Sequence, residues 1–188
     1  MINASSADKQ DRLAGVQARR PQALTLRGFT LIELLVTIAL IAILVALAVP
    51  SLSDAALSSK LAATANRLAA SATLARSEAI KRNSSVTLCI STNGTSCITT
   101  GGWGQGWIVL AGTTVLLYEQ AAPTGFNINE LSVPSASSLI FRATGVGSTQ
   151  ASFNVCRAAP NTGSQERLVS VSATGRTSVQ KTVTGSCN

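Results

Sequence analysis

The sequence predicts an α+β fold, in which a long N-terminal helix, half membrane-spanning and half amphipathic, packs on an antiparallel β-sheet head. Three observations predict it. Residues 34–53 form an apolar run with no charged side chain. A helical repeat of small apolar residues continues from there to residue 82. Past residue 83 the apolar period falls to two, in short runs separated by Gly, Pro, Asn and Ser.

The chain has 188 residues, enough for one modest core. Charged residues make up only 12%, against 46% hydrophobic, and mean hydropathy is +0.32. There is no His, which excludes Ser-His-Asp and Cys-His catalytic pairs, His-ligated metals and His proton shuttles. The cluster Gly101, Gly102, Gly104, Gly106 matches neither dinucleotide-binding nor P-loop spacing. A non-enzymatic role, without cofactor or metal, is therefore expected.

Residues 1–28 are polar and basic, with Lys9, Arg12, Arg19, Arg20 and Arg27 against Asp8 and Asp11, a net of +3. The 21 residues 29–49 that follow are apolar apart from Thr30, Glu33 and Thr37. As a helix they span about 31 Å, close to the roughly 30 Å of a bilayer core. Basic residues upstream place the N-terminus in the cytoplasm and the rest of the chain outside. Glu33 is the exception inside this run. A carboxylate there costs several kcal/mol without a partner, and no basic residue lies nearby within the span. Its partner should be intermolecular, or the amine of a newly cut N-terminus. A second reading is a secretory signal peptide, cut near Ala46-Leu47-Ala48, releasing a soluble periplasmic binding module that starts at Val49.

Residues 51–82 keep helical spacing. Leu57, Leu61, Ala65, Leu68, Ala72, Ala75 and Ala79 make a narrow stripe whose small side chains let a sheet approach closely. Lys60, Arg67, Arg76, Lys81 and Arg82 fall off the stripe and read as a solvated face, with Glu78 placed to pair with Arg82 at i, i+4. Asn83-Ser84-Ser85 ends the helix. Strands are expected at 86–91, 96–100, 106–111, 114–119, 138–143, 151–157, 167–173 and 177–183, with a turn at 92–95 and an irregular stretch over 123–134. Trp103, Trp107, Phe141 and Phe153 read as core rather than as stacking platforms for bases. The expected organisation is thus 1–28 leader, 29–50 membrane or filament-core helix, 51–82 amphipathic helix and 83–188 periplasmic β-rich head.

All four cysteines lie beyond the apolar run, where an oxidising periplasm would be. Cys89 and Cys97 bracket the Asn93-Gly94 turn, which leaves Cys156 and Cys187 as the second disulfide. Four cysteines allow three pairings. The competing zinc reading lacks close paired-ligand spacing.

Gly28-Phe29-Thr30-Leu31-Ile32-Glu33 resembles the leader-peptidase site of type IV pilins and type II secretion pseudopilins. The resemblance implies cleavage between Gly28 and Phe29 by prepilin peptidase, N-methylation of Phe29, and Glu33 pairing with the N-terminal amine of a neighbouring subunit during filament assembly. Pro50 sits where such pilins commonly carry a helix-kinking proline. Further along, Asn66-Arg67-Leu68, the run 75–82, Val86-Thr87-Leu88-Cys89, Gly102-Trp103, Gly106-Trp107-Ile108-Val109 and 172–176 are similar to the FimT and GspH group, closer to FimT. That likeness implies a minor pilin, held in the bacterial inner membrane with its head in the periplasm before assembly with other pilins. It also implies type IV pilus biogenesis and, in some members, binding of double-stranded DNA during uptake. A GspH-like minor pseudopilin of type II secretion is the alternative within the same machinery.

In FimT the C-terminal motif reads Gly-Arg-x-Arg; here it reads Gly175-Arg176-Thr177-Ser178, lacking the second Arg. Residues 131–188 carry Arg142, Arg157, Arg167, Arg176 and Lys181 against Glu166, a net of +4. These five are the candidate DNA contacts. The same five over 58 positions also fit an ordinary solvated surface.

Overall fold

The computed structural model describes residues 28–132, 135–145, 148–160, 163, 165–183 and 187, without the side chains of 47 and 49–51. Residues 1–27 of the expected leader, and the expected kink at Pro50, lie outside this description. The chain divides into two units, Met1–Leu44 and Val45–Asn188. The helix α1, Leu31–Arg82, contributes residues to both.

In the first unit, Thr30 caps the start of α1: its Oγ1 accepts the Glu33 N–H at 3.2 Å. Glu33 in the first turn also complements the helix dipole. Apolar side chains from Phe29 to Leu44 are exposed on every side of the helix. Among the described residues no helix is long and apolar enough to cross a membrane.

In the second unit α1 buries Leu61, Thr64, Ala65, Leu68, Ser71, Ala72, Ala75 and Ala79 along one face. Thr64 and Ser71 sit in this apolar face because each hydroxyl donates to the carbonyl one turn back, Lys60 O at 3.0 Å and Arg67 O at 2.8 Å. The helix stops at Asn83, whose φ of 48° takes the left-handed conformation that Asn tolerates. Ser84 N then donates to Ala79 O and Asn83 N to Ile80 O, both at 3.2 Å, the two bonds of a Schellman end.

The head holds two four-stranded antiparallel sheets rather than one. The first, in order β3-β2-β1-β5, comprises β1 (Val86–Ile90), β2 (Trp107–Ala111), β3 (Thr114–Glu119) and β5 (Ser138–Phe141). The second, β4-β6-β7-β8, comprises β4 (Phe126–Glu130), β6 (Ala151–Arg157), β7 (Glu166–Val171) and β8 (Thr177–Thr182). One core joins the helix stripe to both sheets, through Leu88, Trp107, Val109 and Phe141 of the first and Ile128, Phe153, Val155 and Val169 of the second. Trp103 and Phe153 meet edge to face at 4.9 Å.

Two strand expectations are corrected. Residues 96–100 form no return strand, because β2 takes that edge of β1, from Ile90↔Trp107 to Val86↔Ala111. The segment folds as a loop instead. Asn93 Oδ1 accepts Thr95 N–H at 2.9 Å and Ser96 N–H at 3.1 Å, and Ile98 N–H reaches Ile90 O at 2.9 Å. The stretch 123–134, read as irregular, contains β4, which pairs with β6 and buries Phe126 and Ile128. The solvated helix face is corrected as well: Arg67 and Arg76 are half-buried. Arg67 reaches across to Glu119 of β3 at 3.5 Å.

Candidate functional site

The N-terminal segment places Gly28 and Phe29 just ahead of α1, with the Phe29 ring 82% exposed and Glu33 exposed on the first helical turn. An apolar helix bare on all sides is stable only when lipid or other chains cover it. Its single carboxylate has no cation within the described part of this unit.

The head carries two disulfides. Cys89, buried on β1, bonds Cys97 of the following loop, and Cys156, buried on β6, bonds Cys187 near the C-terminus; the Cα–Cα distance is 5.6 Å in each. Among the described residues no cluster of His, Cys, Asp or Glu could hold a metal ion.

The five basic candidates do not share one environment. Arg176 is exposed in the turn between β7 and β8, a turn pinned by Ser172 Oγ, which accepts Arg176 N–H at 3.1 Å. Lys181 is exposed on the edge strand β8 and lies directly opposite half-buried Arg167 of β7. Like charges facing each other across a ladder repel, which favours an anion near them. Arg142 is exposed just past β5. Arg157 is different and is withdrawn from the set. It is only 7% exposed, on the helix-facing side of β6, and its Nη2 donates to Asp54 Oδ1 of α1 at 3.2 Å. This guanidinium joins helix to sheet and does not face an external phosphate.

Sequence reasoning missed two things here. Arg76, read as solvated, lies under the loops at this end of the head. Glu166, counted only as a charge, is 1% exposed and accepts Asn154 Nδ2–H at 2.8 Å. Neither indole offers a face for a base. Trp103 and Trp107 are buried, with Nε1–H groups donating to Ala136 O and Ser71 Oγ, both at 2.9 Å.

On the helix, Glu78 Oε2 accepts Arg82 Nε–H at 2.6 Å and Oε1 faces Lys81 Nζ at 3.5 Å. The Arg82 hydrogen bond, aided by the charges of Lys81 and Arg82, holds this carboxyl below the ordinary glutamate value.

The family model described as Type II transport protein GspH matches residues 64–175, from the helix stripe to the β7–β8 turn. The chain belongs to the GspH family. A second model, the prokaryotic N-terminal methylation motif, matches residues 27–49 and covers Gly28, Phe29 and Glu33. Together they make the GspH-family chain a minor pilin or pseudopilin, a membrane-anchored subunit that later enters a filament. Among solved structures, the type IV minor pilin FimU of Pseudomonas aeruginosa strain PAO1 is similar in fold, at 21% identity and a TM-score of 0.51, over 65% of this chain and 89% of that one. The minor pseudopilin EpsH from the type 2 secretion system of Vibrio cholerae also matches, at 11% identity and a TM-score of 0.44, over 68% of this chain and 99% of that one. No curated protein matches the chain.

Proposed function

We propose that this GspH-family chain is a FimT-like minor pilin that acts in type IV pilus biogenesis and contacts double-stranded DNA through its head. The observation that carries the filament part is the bare apolar helix beginning directly after Gly28-Phe29, inside the methylation motif. Prepilin peptidase cuts between Gly28 and Phe29, and Phe29 is N-methylated. Before assembly residues 29–50 hold the chain in the inner membrane, N-terminus cytoplasmic and head periplasmic, with Pro50 bending the helix. On assembly Glu33 pairs with the amine of a neighbouring subunit, which neutralises a charge that an apolar surround would otherwise leave unpaired. The role is structural and non-enzymatic.

The DNA part is supported by the exposed cations Arg176, Lys181 and Arg142 with half-buried Arg167. Once residues 1–28 are removed the side chains keep a net charge of +4. A GspH-like role in type II secretion is the second reading within the same family. Chromosomal deletion separates the two. A FimT-like subunit leaves cells with fewer surface pili and normal export of type II substrates. Normal piliation with failed export would assign the chain to secretion instead.

A further inference from the structure

The cations of the second sheet divide between its two ends. The β7–β8 turn, with Arg176, lies beside the upper part of α1, where Thr177 Oγ1 is 2.9 Å from Thr73 Oγ1. From there β8 runs back along α1 toward the apolar run. Thr182 pairs with Glu166 across the ladder, and the adjacent Gln165 meets Ser58, whose Oγ donates to Gln165 Oε1 at 3.4 Å. At the same end of β6, Arg157 reaches Asp54 at 3.2 Å. Val155, Arg167 and Lys181 form one register row, two residues from Arg157 along the strands. Alternation therefore puts Arg157, Arg167 and Lys181 on the same face of the sheet, the face toward α1.

This end lies where the chain leaves its apolar run. Asp54 is the first charged residue after Glu33, and residues 45–53 of the run belong to the same unit as the head. Asp54 follows Val49 by about 7.5 Å of helix. A headgroup layer adds roughly 5–8 Å to each side of the hydrocarbon core. A helix held in the membrane by residues 29–50 thus brings Asp54, and with it Arg157, to headgroup depth. Arg167 and Lys181 lie about 7 Å farther along the strands, within a screening length of about 8 Å at physiological salt.

The charges here do not balance. Asp54 faces Arg157, while Glu166 is 1% exposed on the opposite face of the sheet and accepts Asn154. Exposed Lys181 and half-buried Arg167 stand directly opposite each other. Two like charges paired on one face, close to a membrane surface, favour anions of that surface.

We infer that Arg167 and Lys181 bind phosphates of anionic lipid headgroups while the chain is held in the membrane. The Asp54–Arg157 pair fixes this end of the sheet to the helix turn that leaves the bilayer. The inference rests on the membrane-anchor reading above and goes beyond it by naming a partner of the head. Before assembly this row faces lipid, and Arg176, at the far end, does not.

The full chain in lipid nanodiscs tests this. All four cysteines are paired, so Gln180→Cys, exposed on β8, supplies one free thiol for a fluorescent donor. Energy transfer to an acceptor-labelled headgroup is compared in phosphatidylcholine discs with and without phosphatidylglycerol. Transfer should rise with phosphatidylglycerol at low salt and fall back at about 1 M salt, where the screening length is about 3 Å. Each cation near an anionic surface is worth roughly five-fold in the lipid-bound population. Lys181→Gln should therefore remove most of the rise, and adding Arg167→Gln the rest, whereas Arg167→Lys and Arg176→Gln should keep it. Lys181 is exposed on an edge strand, so its variant folds even if the double variant does not. Transfer indifferent to phosphatidylglycerol would overturn the inference, as would a rise that survives Lys181→Gln in full. A double variant that keeps the rise but loses duplex binding would give the row to DNA instead. Loss of the rise on adding inorganic phosphate at constant ionic strength would assign it to a free anion, and also overturns it. A chain that does not stay in the discs overturns the membrane anchor together with this inference; every other outcome leaves the anchor standing.

Discussion

The indole Nε1–H of Trp107 on β2 donates to Ser71 Oγ on α1 at 2.9 Å, and Ser71 Oγ–H donates in turn to Arg67 O at 2.8 Å. This relay fixes the helix against the first sheet at one point, with Ser71 and Trp107 both buried. Ser71→Ala should cost about 1–3 kcal/mol, because the indole N–H is left buried and unpaired. Denaturant unfolding checks this. A cost below about 0.5 kcal/mol would mean that the indole finds another acceptor.

The two disulfides should differ in worth. Cys89 and Cys97 are separated by 8 residues in sequence, Cys156 and Cys187 by 31. Loop-closure entropy then gives about 2.5 kcal/mol for the first and about 3.7 kcal/mol for the second. Double Cys→Ala variants of each pair, unfolded in denaturant without reductant, should rank in that order. The reverse ranking would show that loop length is not what governs them.

Glu78 gives the helix end a pH dependence. Its folded value is lowered, chiefly by the Arg82 hydrogen bond. The stabilisation is therefore fully present above the ordinary value of 4.5 and is lost as pH falls through the lowered folded value. Glu78→Gln should remove this acid-side loss and lower stability at neutral pH by the same small amount, small because the cations it pairs with are exposed or half-exposed. Thermal melts from neutral to acid pH read it directly, and identical acid profiles for the two proteins would contradict it.

Much of this architecture is legible before any coordinates. The stripe from Leu57 to Ala79 is buried at every named position from Leu61 on, with Leu57 half-buried, because a helix shows its face through a fixed repeat. Strands β3 and β6 coincide with their alternating runs for the same reason. Strand β4 was obscured by Pro123 and Gly125 before it and by its polar Asn127 and Asn129, although Phe126 and Ile128 alternate as a strand should. The division into two sheets depends on which strand edge meets which, and pairing partners leave no local signature. The fate of the arginines was the least legible feature. Arg67 and Arg76 reach their environments through long side chains, so a position off the apolar stripe did not imply a solvated head.

Glu33→Ala should leave cleavage of the leader intact while lowering incorporation into filaments. The exposed first turn of α1 is stable without it, since Thr30 still caps the helix. Immunodetection of the variant in membranes and in sheared filaments separates the two steps. Normal incorporation would show that the charge pair is dispensable.

The central claim is that this chain matures as a filament subunit by a cut between Gly28 and Phe29. Mass spectrometry of the mature N-terminus from membranes tests it most directly. The account predicts a first residue of N-methylated Phe29. A mature chain starting at Val49 would contradict it and make the protein a soluble periplasmic module.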